Sequence, residues 1–220
     1  MSHDSFMTVV KARRAALKRH FDVVRQFEAI EESCVPSYVH ANPAAAMVAW
    51  VRLAAAAALY RRHAPAGPVL DFGAATGEIF HVLRPTGDRI DYHFIEGDDL
   101  LARALAADIP AAVRESQVEP GRYGAIFALD SLEHNDDYAE LLTTLAAGLR
   151  PGGVLILSGP TESWLYRLGR RIAGFSGHYH KTTIFDIERV AERHLALKAA
   201  RTLPLPLLPL FRVSVWTRAS

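Results

Sequence analysis

The sequence predicts an α/β protein of three layers, in which a doubly wound, seven-stranded and mostly parallel sheet is covered by helices on both faces. From residue 69 onward, short apolar runs alternate with helical patterns, as parallel strands and their crossover helices require. The chain has 220 residues, of which 50% are hydrophobic, so it can bury one sizeable core. Before residue 69 only helical patterns occur, which predicts an N-terminal helical extension.

Two helices are predicted in this N-terminal part. Apolar residues recur at roughly helical spacing from residue 6 to about residue 30, among many lysines and arginines. A second helix is expected from Pro43 to about His63, because Asn42 is a good N-cap and proline is favourable in the first turn. Its most apolar stretch, residues 54–60, is far shorter than the roughly 20 residues of a membrane span. We therefore predict a helical cover over residues 1–66 and a core over residues 67–220.

The core is expected to alternate between strands and helices. No helical pattern separates the last two predicted strands, so one of them should run antiparallel at the edge of the sheet. The predicted strands are residues 69–72, 90–95, 112–114, 125–129, 154–158, 195–202 and 211–217. The predicted helices of the core are residues 77–83, 99–107, 137–149, 164–172 and 184–193.

The composition limits the function classes. The 25 Lys and Arg balance the 24 Asp and Glu to a formal charge of +1, so no nucleic-acid partner is expected. The single cysteine, Cys34, cannot form an internal disulfide and is expected to be a small hydrophobe. The first residues lack the apolar core of a signal peptide. A cytoplasmic location is therefore expected.

The stretch "VLDFGAATGEI", residues 69–79, has the pattern of a buried strand, a glycine turn and a helix start. Gly73 and Gly77 permit positive φ and let a ligand approach the backbone. A dinucleotide-binding turn would need further glycines where this chain has Ala75 and Glu78, and Glu78 at the helix start would repel a pyrophosphate. A nicotinamide-dependent oxidoreductase is therefore the less favoured alternative.

A second acidic position follows the next strand. Glu96 ends the predicted strand in "YHFIEGDD", about 25 residues after Asp71. A carboxylate there can accept hydrogen bonds from both hydroxyl groups of a ribose. Together with the turn, Glu96 predicts a ligand that contains a ribose but no phosphates.

Four motifs then occur in a characteristic order, namely "VLDFGAATGEI", "FIEGDD", "AIFALDSLEH" and "LRPGGVLILSGP". Between about residues 69 and 160 the chain thereby resembles the class I S-adenosylmethionine-dependent methyltransferases. The resemblance is to their small-molecule branch, which includes ubiquinone-biosynthesis-type O-methyltransferases. It implies the Rossmann-like methyltransferase fold, S-adenosylmethionine as cofactor and S-adenosylhomocysteine as product.

The resemblance also implies roles for individual residues. Asp71, Gly73 and Gly77 would hold the methionine part of the cofactor, and Ala75 replaces the more usual middle glycine. Glu96 would hold the ribose. The remaining implied contacts are Asp98 beside the adenosine pocket, Glu115 or Ser116 at the adenine edge, and Leu129 and Asp130 beneath the sulfonium.

His134 in "LDSLEHNDDY" is the first candidate catalytic base, because it follows the fourth strand and histidine titrates near neutral pH. As an alternative, Glu133 and His134 only hold their loop and cap the next helix. A third interpretation is that Asp130, Glu133 and His134 bind a divalent metal such as Mg or Zn. This is the least favoured of the three, so no metal is assigned.

A lid is expected at about residues 160–183, where this family often places its substrate cover. Its helix, residues 164–172, carries apolar residues and arginines, so it could contact a membrane surface or, more simply, pack on the core. The loop that follows offers His178, Tyr179 and His180 as further catalytic candidates, ranked level with His134.

Together these features predict methyl transfer from S-adenosylmethionine to a small, amphipathic or lipid-like acceptor, with oxygen preferred. No Asn-Pro-Pro-Tyr or Asp-Pro-Pro-Tyr motif follows the fourth strand, which disfavours amino groups of bases and glutamine. The main alternative is a member of the same fold that binds the cofactor or a partner without turnover.

Overall fold

The computed structural model describes residues 2–22, 30, 33–84, 89–161, 182–205 and 208–218. The predicted lid helix at residues 164–172 and the candidates His178, Tyr179 and His180 lie outside these residues. Within the described residues the chain forms seven strands and seven α-helices.

The seven strands form one sheet in the order β3-β2-β1-β4-β5-β7-β6, which confirms the predicted doubly wound architecture. β1 pairs in parallel with both β2 and β4, so the strand order reverses beside β1. β7 is antiparallel to β5 and to β6, as expected for one of the last two strands. The strands are β1 (Val69–Phe72), β2 (Tyr92–Ile95), β3 (Val113–Arg114), β4 (Tyr123–Leu129), β5 (Leu149–Pro160), β6 (Leu195–Leu205) and β7 (Leu208–Arg218).

Helices cover both faces of this sheet. The five helices α1, α2, α3, α4 and α5 pack on one face of the sheet in a single apolar core. A second apolar core packs α6 and α7 on the other face. The helices are α1 (His3–His20), α2 (Val35–Val39), α3 (Pro43–His63), α4 (Glu78–Leu83), α5 (Asp99–Asp108), α6 (Tyr138–Gly148) and α7 (Ile184–Ala191). The two layers of helices with the sheet between them give the predicted three-layer fold.

α1 ends ten residues earlier than the apolar pattern predicts. Phe21 has extended backbone angles, and its amide donates to the carbonyl of Leu17. The Phe21 side chain is buried in the core. Its apolar character therefore reflects core packing of the segment after the helix rather than another helical turn.

α3 has the predicted bounds, and Asn42 caps it by accepting a hydrogen bond from the amide of Ala44. Its 21 residues are long and apolar enough to cross a membrane by length and composition, but half of its most apolar window is buried inside the protein. The helix packs on β5, β6 and β7, and the Trp50 side chain is fully buried. α3 is therefore a core helix that packs on the sheet.

Candidate active site

A cleft of about 540 Å³ opens at the carboxyl ends of β1, β2 and β4. This is the edge at which the strand order reverses, where open parallel sheets bind their ligands. The lining residues come from the glycine turn, the β2 end, the β4 end and the segment before α2: Ser33, Cys34, Phe72, Gly73, Ala75, Ile95, Glu96, Gly97, Asp98, Leu101, Asp130, Ser131, His134 and Asn135.

The glycine turn between β1 and α4 has the backbone shape that the sequence predicts. Gly73 has φ +68° and Gly77 has φ +73°, and a Cβ on Gly73 would collide with the Ser131 side chain. Ala75 also has positive φ, at 47°. Because Ala carries a Cβ, this conformation costs roughly 1 kcal/mol. The turn is thus held close to the β4 end, with its backbone lining the cleft.

Glu96 links the glycine turn to the loop after β2. Its Oε2 accepts a hydrogen bond from the Ala75 amide at 2.7 Å, and its Oε1 accepts one from the Asp98 amide at 2.8 Å. The Asp98 carboxylate caps α5 by accepting from the Leu101 amide at 2.9 Å. Glu96 and Asp98 both line the cleft, and two backbone amides fix the Glu96 carboxylate.

Asp130 is the most unusual residue of the cleft. Its φ is +49°, and its Oδ2 is bound by Arg52 Nη1 at 2.8 Å and by the Ser158 hydroxyl at 3.1 Å. Burial raises the pKa of this carboxyl, while the Arg52 charge opposes the rise. Its other oxygen, Oδ1, is buried and has no hydrogen-bond partner within the described residues. Such an atom is costly unless a ligand supplies a donor.

Ser131 and its neighbours complete this side of the cleft. The buried Ser131 Oγ likewise lacks a partner within the described ranges, and the Ser131 carbonyl accepts from the Asn135 side-chain amide at 2.7 Å. His134 lies in a short 3₁₀ turn, and its side chain is exposed at the cleft. The structure therefore brings His134 and Asp130 to the same cleft.

Cys34 lines the cleft from the N-terminal part of the chain. Its Sγ accepts a hydrogen bond from Arg52 Nη2 at 3.4 Å. Burial raises the pKa of the thiol to about 11, so it stays protonated near neutral pH. The sequence prediction of a small hydrophobe is incomplete, because the thiol contacts a guanidinium.

Four of the predicted cofactor residues do not line this cleft. Asp71 is buried and accepts a hydrogen bond from the Tyr92 hydroxyl at 2.5 Å, and burial raises its pKa to about 7. Glu115 binds His93 Nδ1 at 2.7 Å. Leu129 is buried in the core. Gly77 also lies outside the lining, at the start of α4, where its Cα faces Leu105 and Ile109.

A metal site is not formed by the described residues. They contain no group of three or more His, Cys, Asp and Glu side chains placed to hold an ion, and Asp130, Glu133 and His134 do not form one. The Asp130 carboxylate is instead paired with Arg52. The predicted metal alternative thus has no geometric support.

The chain matches a family model described as a methyltransferase domain over residues 39–203, which is more than half of its length. The chain belongs to the class I S-adenosylmethionine-dependent methyltransferase family. No curated protein sequence matches this methyltransferase.

Solved structures share the fold of this methyltransferase at low sequence identity. The PH0226 protein of Pyrococcus horikoshii OT3 has a TM-score of 0.64 and 14% identity, over 84% of this chain and 96% of that one. The N-methyltransferase NodS of Bradyrhizobium japonicum WM9, solved with S-adenosylhomocysteine, has a TM-score of 0.62 and 11% identity, over 77% of this chain and 87% of that one. A TehB-like S-adenosylmethionine-dependent methyltransferase of Corynebacterium glutamicum has a TM-score of 0.54 and 22% identity, over 78% of this chain and 95% of that one.

S-adenosylmethionine is accordingly the cofactor, and the cleft residues fit it. The backbone of the glycine turn, which lines the cleft at Gly73 and Ala75, suits the amino-acid part, and the Glu96 carboxylate suits the ribose hydroxyls. A donor such as the cofactor's ammonium would satisfy the unpartnered oxygens of Asp130 and Ser131.

Sequence reasoning missed several residues at this site. Ser131 follows Asp130 directly at a strand end, so its position alone marks it as a candidate. Arg52 stands alone in the apolar middle of α3, and a lone charge in such a stretch indicates a buried partner. No sequence signal identifies Ser33, because its position depends on how the N-terminal helices pack.

Proposed function

We propose that this methyltransferase moves a methyl group to an oxygen of a small or amphipathic acceptor. The observation that carries the proposal is the 540 Å³ cleft, which combines the glycine turn and Glu96 with the exposed His134. When bound, S-adenosylmethionine supplies a methyl group already activated on a sulfonium, so the protein has to provide orientation and, for a hydroxyl acceptor, a base.

Different residues of the cleft provide the orientation and the base. Glu96, held by the amides of Ala75 and Asp98, orients the ribose side. Asp130 and Ser131 offer buried oxygens to donor groups of the bound molecules. His134 is exposed at the cleft, where it can accept a proton from an acceptor hydroxyl.

Nitrogen is the second candidate acceptor atom, and the fold shared with the N-methyltransferase NodS favours it. A neutral amine attacks through its lone pair without prior loss of a proton, whereas a hydroxyl benefits from a base. The contribution of His134 therefore separates the two candidates.

The first experiment is calorimetry with S-adenosylmethionine and S-adenosylhomocysteine, with NAD as the comparison ligand. Binding of the first two and not of NAD supports the proposal. The absence of cofactor binding, or binding of NAD instead, would overturn it.

The second experiment measures transfer of a labelled methyl group to a panel of phenols, sugars, lipids and amines. Methylation of hydroxyl compounds supports oxygen as the acceptor. Transfer confined to amines supports nitrogen, and binding of the cofactor without any transfer supports a non-catalytic member of the family.

The variant His134→Ala tests the base on whichever acceptor is found. If His134 accepts the proton, kcat should fall by about 10²- to 10⁴-fold while cofactor affinity stays near that of the wild type. An unchanged kcat on a hydroxyl acceptor would contradict the assignment. Asp136→Ala, at an exposed position two residues further on, is the matched control.

A further inference from the structure

Two adjacent arginines of α1 bind residues that lie close in sequence to two different parts of the cleft lining. Arg13 binds the residue that follows the glycine turn, and Arg14 binds the segment of residues 33–40, here called the roof segment. We propose that Arg13 and Arg14 are positioning residues that couple docking of α1 to cofactor binding. The inference rests on the proposed function, because it concerns the same cleft.

Arg13 holds the glycine turn through Glu78. Its Nε donates to Glu78 Oε2 at 3.0 Å and its Nη2 donates to Glu78 Oε1 at 2.8 Å, a two-point contact between a guanidinium and a carboxylate. Glu78 is buried and directly follows Gly77, and its Oε1 also accepts from the Thr76 hydroxyl at 3.3 Å. The end of the turn is therefore fixed to a helix that is more than sixty residues away in sequence.

A second acidic residue orients the same guanidinium. Arg13 Nη2 lies 2.7 Å from Asp108 Oδ2, which His81 Nε2 also approaches to 2.9 Å. Burial lowers the pKa of His81 to about 4, so near neutral pH the ring is uncharged and donates to Asp108. Arg13 is thus held between the first residue of α4 and the last residue of α5.

Arg14 fixes the roof segment. Its Nη1 donates to the Tyr38 carbonyl at 3.2 Å and its Nη2 donates to the His40 carbonyl at 3.1 Å, at the end of α2. Ser33 and Cys34, at the start of the same segment, line the cofactor cleft. Docking of α1 therefore orders two parts of the cleft lining that are distant in sequence.

Binding and docking must then favour each other. A cofactor that contacts both the glycine turn and the roof segment binds best when α1 holds them in place, and by linkage the bound cofactor strengthens the docking of α1. Loss of either arginine should weaken cofactor binding although neither side chain lines the cleft.

The test compares the affinity of full-length variants for S-adenosylhomocysteine by calorimetry. Arg13→Met alone leaves the Glu78 carboxylate buried without its cation and risks unfolding, so the double variant Arg13→Met/Glu78→Gln is the main one. Arg14→Met tests the roof segment. Arg19→Met, on the exposed part of the same helix, is the matched control. Thermal unfolding verifies that each variant is folded.

We expect the dissociation constant to rise about tenfold in the double variant and in Arg14→Met, and to stay at the wild-type value in Arg19→Met. Hydrogen exchange gives a second measurement. A purely structural role of Arg13 would not make the exchange of the α1 amides depend on the cofactor. Cofactor should slow exchange of the α1 amides in the wild type, and this protection should be lost in the double variant.

Two results would overturn the inference, and they differ from one another. If the wild type binds S-adenosylhomocysteine and the folded double variant binds it equally well, the coupling is absent while the proposed function stands. If the wild type does not bind it, the proposed function fails and the coupling fails with it.

Discussion

At the residue scale, Asp130 shows how one side chain can serve both stability and binding. Its Oδ2 is neutralised by Arg52, and its Oδ1 is buried in the cleft lining without a partner among the described residues. An unmet acceptor of this kind costs roughly 1 to 3 kcal/mol, which a donor on a ligand can recover. The ammonium of the cofactor's amino-acid part is the donor that we expect to fill this place.

Asp130→Asn should therefore weaken binding of S-adenosylhomocysteine by about tenfold, because a charged acceptor becomes neutral. It should leave binding of 5′-methylthioadenosine nearly unchanged, since that molecule lacks the amino-acid part. Calorimetry with both ligands measures the difference. Ser158→Ala, which removes only the hydrogen bond to Oδ2, is the control and should spare both affinities. An equal loss for both ligands would contradict the assignment.

At the element scale, the glycine turn contains a residue that its conformation does not favour. Ala75 has φ 47°, a region that glycine enters without a Cβ penalty. The turn keeps this conformation because the Ala75 amide donates to Glu96, and because Glu78 at the end of the turn is held by Arg13. The strain is thus balanced by contacts to a strand end and to α1.

Ala75→Gly should raise the free energy of unfolding by roughly 1 kcal/mol, since the left-handed conformation no longer costs energy. The amide that donates to Glu96 is retained, so affinity for the cofactor should not fall. Urea unfolding and calorimetry check the two statements. Ala74→Gly, at the neighbouring position where no positive φ occurs, should be neutral or destabilising, and the same gain in both variants would refute the strain argument.

At the scale of the whole molecule, a buried acid makes stability depend on pH. Burial raises the pKa of Asp71 from 3.8 to about 7, against the opposing effect of the Tyr92 hydrogen bond. Because the folded-state pKa is the higher one, this contribution to stability is complete below about pH 4 and is lost as the pH rises through 7.

Asp71→Asn removes this titration and retains an oxygen that can accept from Tyr92. The free energy of unfolding of Asp71→Asn, relative to the wild type, should therefore increase by about 4 kcal/mol between about pH 4 and about pH 8. Urea unfolding of both proteins across this range measures it. A difference that does not vary with pH would show that Asp71 ionises normally. Asp91→Asn, an exposed acid that directly precedes the neighbouring strand β2, is the control.

By itself the sequence determined the alternation of strands and helices after residue 69 in the described part of the chain, the antiparallel strand in the final pair and the glycine turn. Four ordered motifs also identified the family. The strands, helices and glycine turn follow from local patterns, because apolar periodicity, capping residues and glycine positions act within a few residues of one another. The same patterns placed Gly73, Ala75 and Glu96 at the end of the sheet where the cleft lies, and the resemblance to the family added Asp98 and Asp130.

Only the tertiary structure decided how the charged residues pair. From the sequence, Glu78 is expected to repel a pyrophosphate at the helix start, but the structure buries this carboxylate against Arg13. Likewise, Asp71 faces Tyr92, and Arg52 reaches Asp130 from an apolar helix. Ion pairs and hydrogen bonds of this kind join residues that can be any distance apart along the chain, so no local pattern predicts them. The packing of α1 and α3 on the sheet brings the charged partners together.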